Sequence, residues 1–131
     1  MGIITIDLRR RQLIYEQIIE NVKEQIARGV LRENDYMPSV RSLANELGIN
    51  PNTIQKAYAE LERQGVIQSV AGRGSIVVVS ADTVRGMQQD KVTEKIRAAA
   101  KEAVASGMDL EAFIKTAREV YDGKPSLEDK Q

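Results

Sequence analysis

The chain reads as a mainly α-helical winged helix-turn-helix, with a small β-hairpin wing and a short two-helix C-terminal tail. Two short helical patterns, residues 38–47 and 50–64, are separated by a tight turn at Gly48. Two β-branched runs flank Ala71-Gly72-Arg73-Gly74 directly after them. Beyond residue 80 only helical stripes remain. Short helices joined by a Gly-containing turn form a helix-turn-helix, and β-branched runs around a Gly-rich tip form a hairpin.

The elements follow in chain order. Ile3-Ile4-Thr5-Ile6 suits a short strand or an extended arm. Tyr15, Ile18, Ile19, Val22 and Ile26 recur at helical spacing and stop near Gly29, giving a first helix to cover the next two. Pro38 and Ser39 open the second helix, with Ser39 as its N-cap. Val40, Leu43, Ala44 and Leu47 form its buried stripe. Gly48 ends it, in the left-handed conformation that helix C-termini often require.

The third helix has the strongest start signals. Asn50 is an N-cap residue and Pro51 falls at the first helical position, where the missing N–H is harmless. Ile49 and Ile54 stand at the two positions of a hydrophobic staple. Ile54, Ala57, Tyr58 and Leu61 face the core, and Gly65 ends the helix. The other face carries Asn52, Thr53, Gln55, Lys56, Ala59 and Arg63. Amides pair bidentately with adenine edges, threonine donates, accepts or touches a thymine methyl, and lysine reaches guanine or phosphate. The free amides of the helix start add an anion site. The competing expectation is an ordinary solvated helix face. Arg41, early in the second helix, opposes the helix dipole, which favours a phosphate or base contact over local stabilisation. Val66 to Val70 and Ser75 to Val79 make the hairpin, whose tip can bring Arg73 to the DNA backbone or minor groove.

These motifs resemble the winged-helix domain of GntR-type bacterial transcription regulators. The resemblance rests on Leu13-Ile14-Tyr15-Glu16-Gln17-Ile18, Ile26-Ala27-Arg28-Gly29-Val30-Leu31, Met37-Pro38-Ser39-Val40-Arg41-Ser42-Leu43-Ala44, Asn50-Pro51-Asn52-Thr53-Ile54 and Gly72-Arg73-Gly74. It covers residues 8–80, and the Asn-Pro-Asn-Thr start, Ala57-Tyr58 and the short tail look like the YtrA subfamily. It implies DNA contacts from Arg41, Asn50, Asn52, Thr53, Gln55, Lys56, Gly72, Arg73 and Gly74. It also implies a dimeric repressor of an inverted-repeat operator, with links to transporter operons. Many relatives carry arginine where this chain has Pro51, which leaves the operator sequence open. Many carry glycine where it has Asn34, a residue that tolerates positive φ.

Residues 1–80 are thus expected to form the DNA-binding domain and residues 81–131 a dimerisation and effector-response tail. The tail is too short for a large core of its own. Val92, Ile96, Ala99, Ala100, Ala103 and Val104 mark one helix, broken at Gly107. Asp109 caps a second, with Leu110, Phe113, Ile114, Ala117 and Tyr121 as its stripe. An antiparallel pair packed on the same pair of a second chain would bury both faces; folding back on the chain's own winged helix is the monomeric alternative. Gly123 to Gln131 is expected to fray. A small-molecule effector would have room near Tyr58, Met87 and Phe113.

Composition excludes several classes. The 131 residues contain no cysteine and no histidine, which removes disulfides, thiol nucleophiles, Cys/His zinc sites and imidazole bases. No cofactor or metal is expected, and no catalytic residues. No apolar run approaches the ~20 residues of a membrane span, and no signal peptide is visible, so a cytoplasmic protein is expected. Internal repeats and low-complexity segments are absent. Lys+Arg and Asp+Glu both number 19, whereas DNA-binding domains are usually basic. Arg9, Arg10, Arg11, Arg41, Lys56, Arg63 and Arg73 would have to share one surface. The neutral charge suits the rival reading, a winged-helix protein-interaction module. Such a surface would expose apolar residues where this one has amides and a lysine.

Overall fold

A computed structural model describes residues 3–124. Helices α1 (Ile14–Ala27), α2 (Val40–Leu47) and α3 (Pro51–Arg63) are followed by strands β1 (Ile67–Val70) and β2 (Gly74–Val77). Helices α4 (Ala81–Ser106) and α5 (Leu110–Tyr121) complete the described chain. The chain divides into two compact units between Gln88 and Gln89.

In the first unit, α3 is the central element, packed on α1, α2 and β1. The expected stripes supply its core: Ile18, Val22 and Ile26 from α1, Leu43 and Ala44 from α2, and Ile54, Ala57, Tyr58 and Leu61 from α3. Val66, Ile67 and Val77 close it from the hairpin side. Residues 3–7 form an extended arm rather than a strand. Ile4 is buried, and the Thr5 and Asp7 N–H groups donate to Asn21 Oδ1 and Gln17 Oε1 on α1 (3.1 and 2.8 Å). Gln17, itself buried, donates through Nε2 to the Asp7 and Gln12 carbonyls. Side chains of α1 thus replace the neighbouring strand that the arm would need.

The caps form as the residue types require. Ser39 Oγ accepts from Ser42 N–H at 3.0 Å, and Gly48 takes φ +69° to end α2. Strands β1 and β2 pair antiparallel with Ile67 opposite Val77 and Val70 opposite Gly74. Their outer edge is covered: the Asn34 and Met37 N–H groups donate to the Val77 and Ser75 carbonyls, and Val77 N–H to the Asp35 carbonyl. Asn34 takes φ +75°, the left-handed turn expected of it.

Helix α4 starts well before its expected stripe. Ser80 Oγ accepts from Thr83 N–H at 3.1 Å and so caps the helix. Val84 is fully buried in the first unit's core, with Met87 packed against it. Arg85 Nη1 donates to the Ala27 carbonyl at the end of α1 (2.7 Å). The divide between the two compact units therefore lies inside α4. In the second unit, Asp109 Oδ1 caps α5 by accepting from Ala112 N–H at 2.9 Å. Helices α4 and α5 are not packed along one another, so the antiparallel pair expected within one chain is not formed. No residue of α5 is buried. The expected fraying concerns residues that, from Pro125 on, lie outside the described part.

Candidate nucleic-acid interface

The exposed face of α3 begins at its cap. Asn50 Oδ1 accepts from Asn52 N–H at 2.8 Å, and the Asn50 carbonyl accepts from Thr53 N–H at 3.0 Å. Pro51 has no N–H. The free amides expected at this helix start are therefore already used, and the start offers an anion no backbone donor from these positions. Asn50 retains its Nδ2 donors. Asn52, Gln55 and Lys56 are exposed, and Thr53 is half-buried.

The cations separate into two groups. Arg63 is bound to Glu60 by Nη2 and by Nε, the latter at 2.8 Å, and Glu60 also accepts from Gln64 Nε2 at 2.7 Å. Hydrogen bonding to Arg63 and Gln64 holds the Glu60 carboxyl down at about 2. Arg63 is thus paired within its own helix, although its side chain stays exposed. Arg9 is likewise paired with Asp7 at 3.3 Å. Arg41 and Arg73 are exposed and make no side-chain hydrogen bond or ion pair among the described residues. Lys56 has no carboxylate partner among the described residues; its Nζ lies 4.0 Å from the centroid of the Tyr15 ring on α1. An overall neutral chain therefore presents exposed positive charge without a carboxylate partner among the described residues on α2, α3 and the wing.

The wing tip is a tight turn. Arg73 N–H donates to the Val70 carbonyl at 2.9 Å, with Gly72 at φ +73° in the third position, as type II turns require. Gly74 follows at φ +86°. A Cβ at Gly72 would meet nothing within 4 Å, so the space beside the tip is open.

Comparison with known proteins agrees with this architecture. Residues 14–77 match the model for bacterial regulatory proteins of the gntR family. The HTH-type transcriptional repressor YtrA of Bacillus subtilis is 39% identical over 89% of this chain and 91% of its own length. The chain belongs to the GntR family. The crystal structure of a transcriptional regulator from Oenococcus oeni superposes with TM-score 0.71 at 31% identity, covering 88% of this chain and 97% of that one. AraR(DBD) in complex with operator ORE1 matches with TM-score 0.50 at 27% identity, over 56% of this chain and 90% of that one. This GntR-family chain is a winged-helix, DNA-binding transcription regulator of YtrA-like type, and not an enzyme.

Several positioning residues of this GntR domain escape sequence reasoning. Glu62 Oε1 accepts from Ser69 N–H (3.1 Å) and Ser69 Oγ (2.6 Å), bracing β1 against α3. Tyr58 donates its hydroxyl to the Pro38 carbonyl at 2.7 Å, tying α3 to the start of α2. Burial pushes that hydroxyl's pKa above the usual phenol range. The Tyr58 ring itself lies in the core of the first unit. The side chains of Tyr15 and Glu62 are ordinary in sequence; only their partners give them a role. Ser80 did carry a signal, an N-cap residue three positions before Thr83.

In the second unit, Val92, Ile96, Leu110, Ile114 and Tyr121 are exposed, Ile96 at 54% and Tyr121 at 93%. A groove of about 500 Å³ runs between the end of α4 and α5, lined by Ala99, Ala103, Met108, Phe113 and Ala117 among others. Among the described residues no helix is long and apolar enough to cross a membrane.

Proposed function

We propose that the protein is a homodimeric repressor. Its α3 enters the major groove of an inverted-repeat operator, and its wing tip follows the backbone or minor groove. The observation that carries this reading is the unpaired charge at Arg41, Lys56 and Arg73, around a face of amides and a hydroxyl at Asn52, Thr53 and Gln55. Arg41 and Arg73 supply phosphate or groove contacts, with Gly72 and Gly74 allowing the close approach of the wing backbone. Asn52, Thr53 and Gln55 read base edges, and Asn50 contributes through Nδ2 alone. The repressor assignment draws on the likeness to the Bacillus subtilis repressor.

Dimerisation is assigned to the tail. Val92, Ile96, Ala99, Ala100, Ala103, Leu110, Phe113, Ile114, Ala117 and Tyr121 form apolar stripes that the chain alone leaves largely in water. A second copy would cover them and supply the second half-site contact that a small module needs for useful affinity.

The test is selection of duplexes from a random pool, followed by titration of the selected duplex across a salt series. Tight binding to an inverted repeat is expected. Arg41→Ala should weaken it uniformly across sequences and lower the salt slope by about one. Recovery of no preferred sequence would overturn the reading.

A further inference from the structure

We propose that Tyr15 is a positioning residue for DNA binding: its ring, anchored on α1, holds the Lys56 ammonium ready for an operator phosphate. The proposal rests on the DNA-binding reading of the same face and assigns Lys56 to the backbone rather than to a base edge.

The geometry carries it. Lys56 Nζ stands 4.0 Å from the Tyr15 ring centroid, well inside the ~6 Å at which a ring face attracts a cation. The ring itself is half-buried and packed against the core, so the core fixes the ring and the ring fixes the lysine. The carboxylate within helical reach of Lys56 is Glu60, four residues on. That carboxylate is already held by Arg63 and Gln64. An aromatic face therefore takes the place of an acid, with a definite consequence. A carboxylate would neutralise the ammonium. A ring face orients it and leaves its net charge, and the N–H donors turned away from the ring, for an incoming anion. Lysine acts on phosphate as a point charge, without the planar fork that base reading exploits in arginine. Restricting this long side chain before binding also reduces the entropy lost on contact.

The experiment uses the full chain on the selected duplex, with salt titrations of wild type, Lys56→Met, Tyr15→Leu, Tyr15→Phe and the Tyr15→Leu/Lys56→Met pair. Thermal melts verify that each variant is folded, and Tyr15→Phe keeps both the core packing and the ring face. Lys56→Met is expected to weaken binding and lower the salt slope by about one. Tyr15→Leu should weaken it roughly two- to fivefold, Tyr15→Phe should bind like wild type, and the double variant should be no weaker than Lys56→Met alone. A Tyr15→Leu loss that persists undiminished in the Lys56→Met background would assign the tyrosine to folding alone and overturn the proposal. Tighter or unchanged binding by Tyr15→Leu would overturn it too, the former by showing that the ring withholds the ammonium. If Lys56→Met is silent while Arg41→Ala weakens binding, the DNA reading stands and the positioning role falls. Loss of all specific binding by wild type would remove both.

Discussion

Arg41 and Arg63 look alike in the sequence and differ in what surrounds them. Arg63 is held by Glu60 within its own helix, whereas Arg41 is exposed and unpaired in the first turn of α2. Arg63→Ala is therefore expected to change DNA affinity far less than Arg41→Ala. It should raise the Glu60 pKa towards its ordinary 4.5, with the Gln64 hydrogen bond still lowering it, measured by NMR of the side-chain carboxyl. In the wild type Glu60 titrates at about 2, below its unfolded value. The pairing thus contributes its full stabilisation above about pH 4.5 and loses it as pH falls towards 2. Gln55 is exposed on α3 with its amide oxygen and nitrogen both available. Gln55→Ala should change the preferred base at one position of each half-site, by about 1–3 kcal/mol in discrimination, read by repeating the duplex selection. An unchanged consensus would remove Gln55 from the major groove.

At the scale of elements, the recognition helix and the wing are joined by one carboxylate. Glu62 receives both the N–H and the hydroxyl of Ser69, so the angle of the hairpin is set by α3. Glu62→Ala should raise hydrogen exchange at the Ser69 amide roughly tenfold while α1 core amides keep their protection. Equal exchange in the two proteins would mean that strand pairing alone orients the wing. The helix starts were legible in the sequence because caps and staples act over four or five residues: Ser39, Asn50 and Asp109 all accept the expected backbone N–H. The start of α4 was less so. Val84 and Met87 lie apart from the later alanine-rich stripe, and their burial depends on α4 returning to the winged-helix core.

At the scale of the molecule, the two units differ in how they satisfy their apolar residues. The first buries a continuous core from the arm to Val84, while the second leaves its large side chains exposed along α4 and α5. Such patches mark an interaction surface. Ile96→Asp is expected to convert a dimer to a monomer in sedimentation. It should weaken binding to the full inverted repeat by on the order of 10²-fold while leaving half-site affinity unchanged. A dimer that survives both Ile96→Asp and Phe113→Asp would move the interface elsewhere. The thermal melt of the winged-helix unit should not shift, because neither residue contributes to its core.

Sequence alone determined the helix-turn-helix, the wing, the left-handed turn at Asn34 and the polar face of α3. Each follows from short-range rules: residue spacing, cap chemistry and the conformations that glycine and asparagine accept. Tertiary structure decided which of those polar groups remain available. Asn50 takes the Asn52 and Thr53 amides of the helix start, Glu60 pairs with Arg63, and Tyr15 takes Lys56. It also showed the tail helices of one chain standing apart, with no core between them. These outcomes depend on partners in other turns or other elements, and on which of several acceptors each donor reaches once the core has set the distances. A pattern of residue types does not contain those distances, whereas the packed fold does.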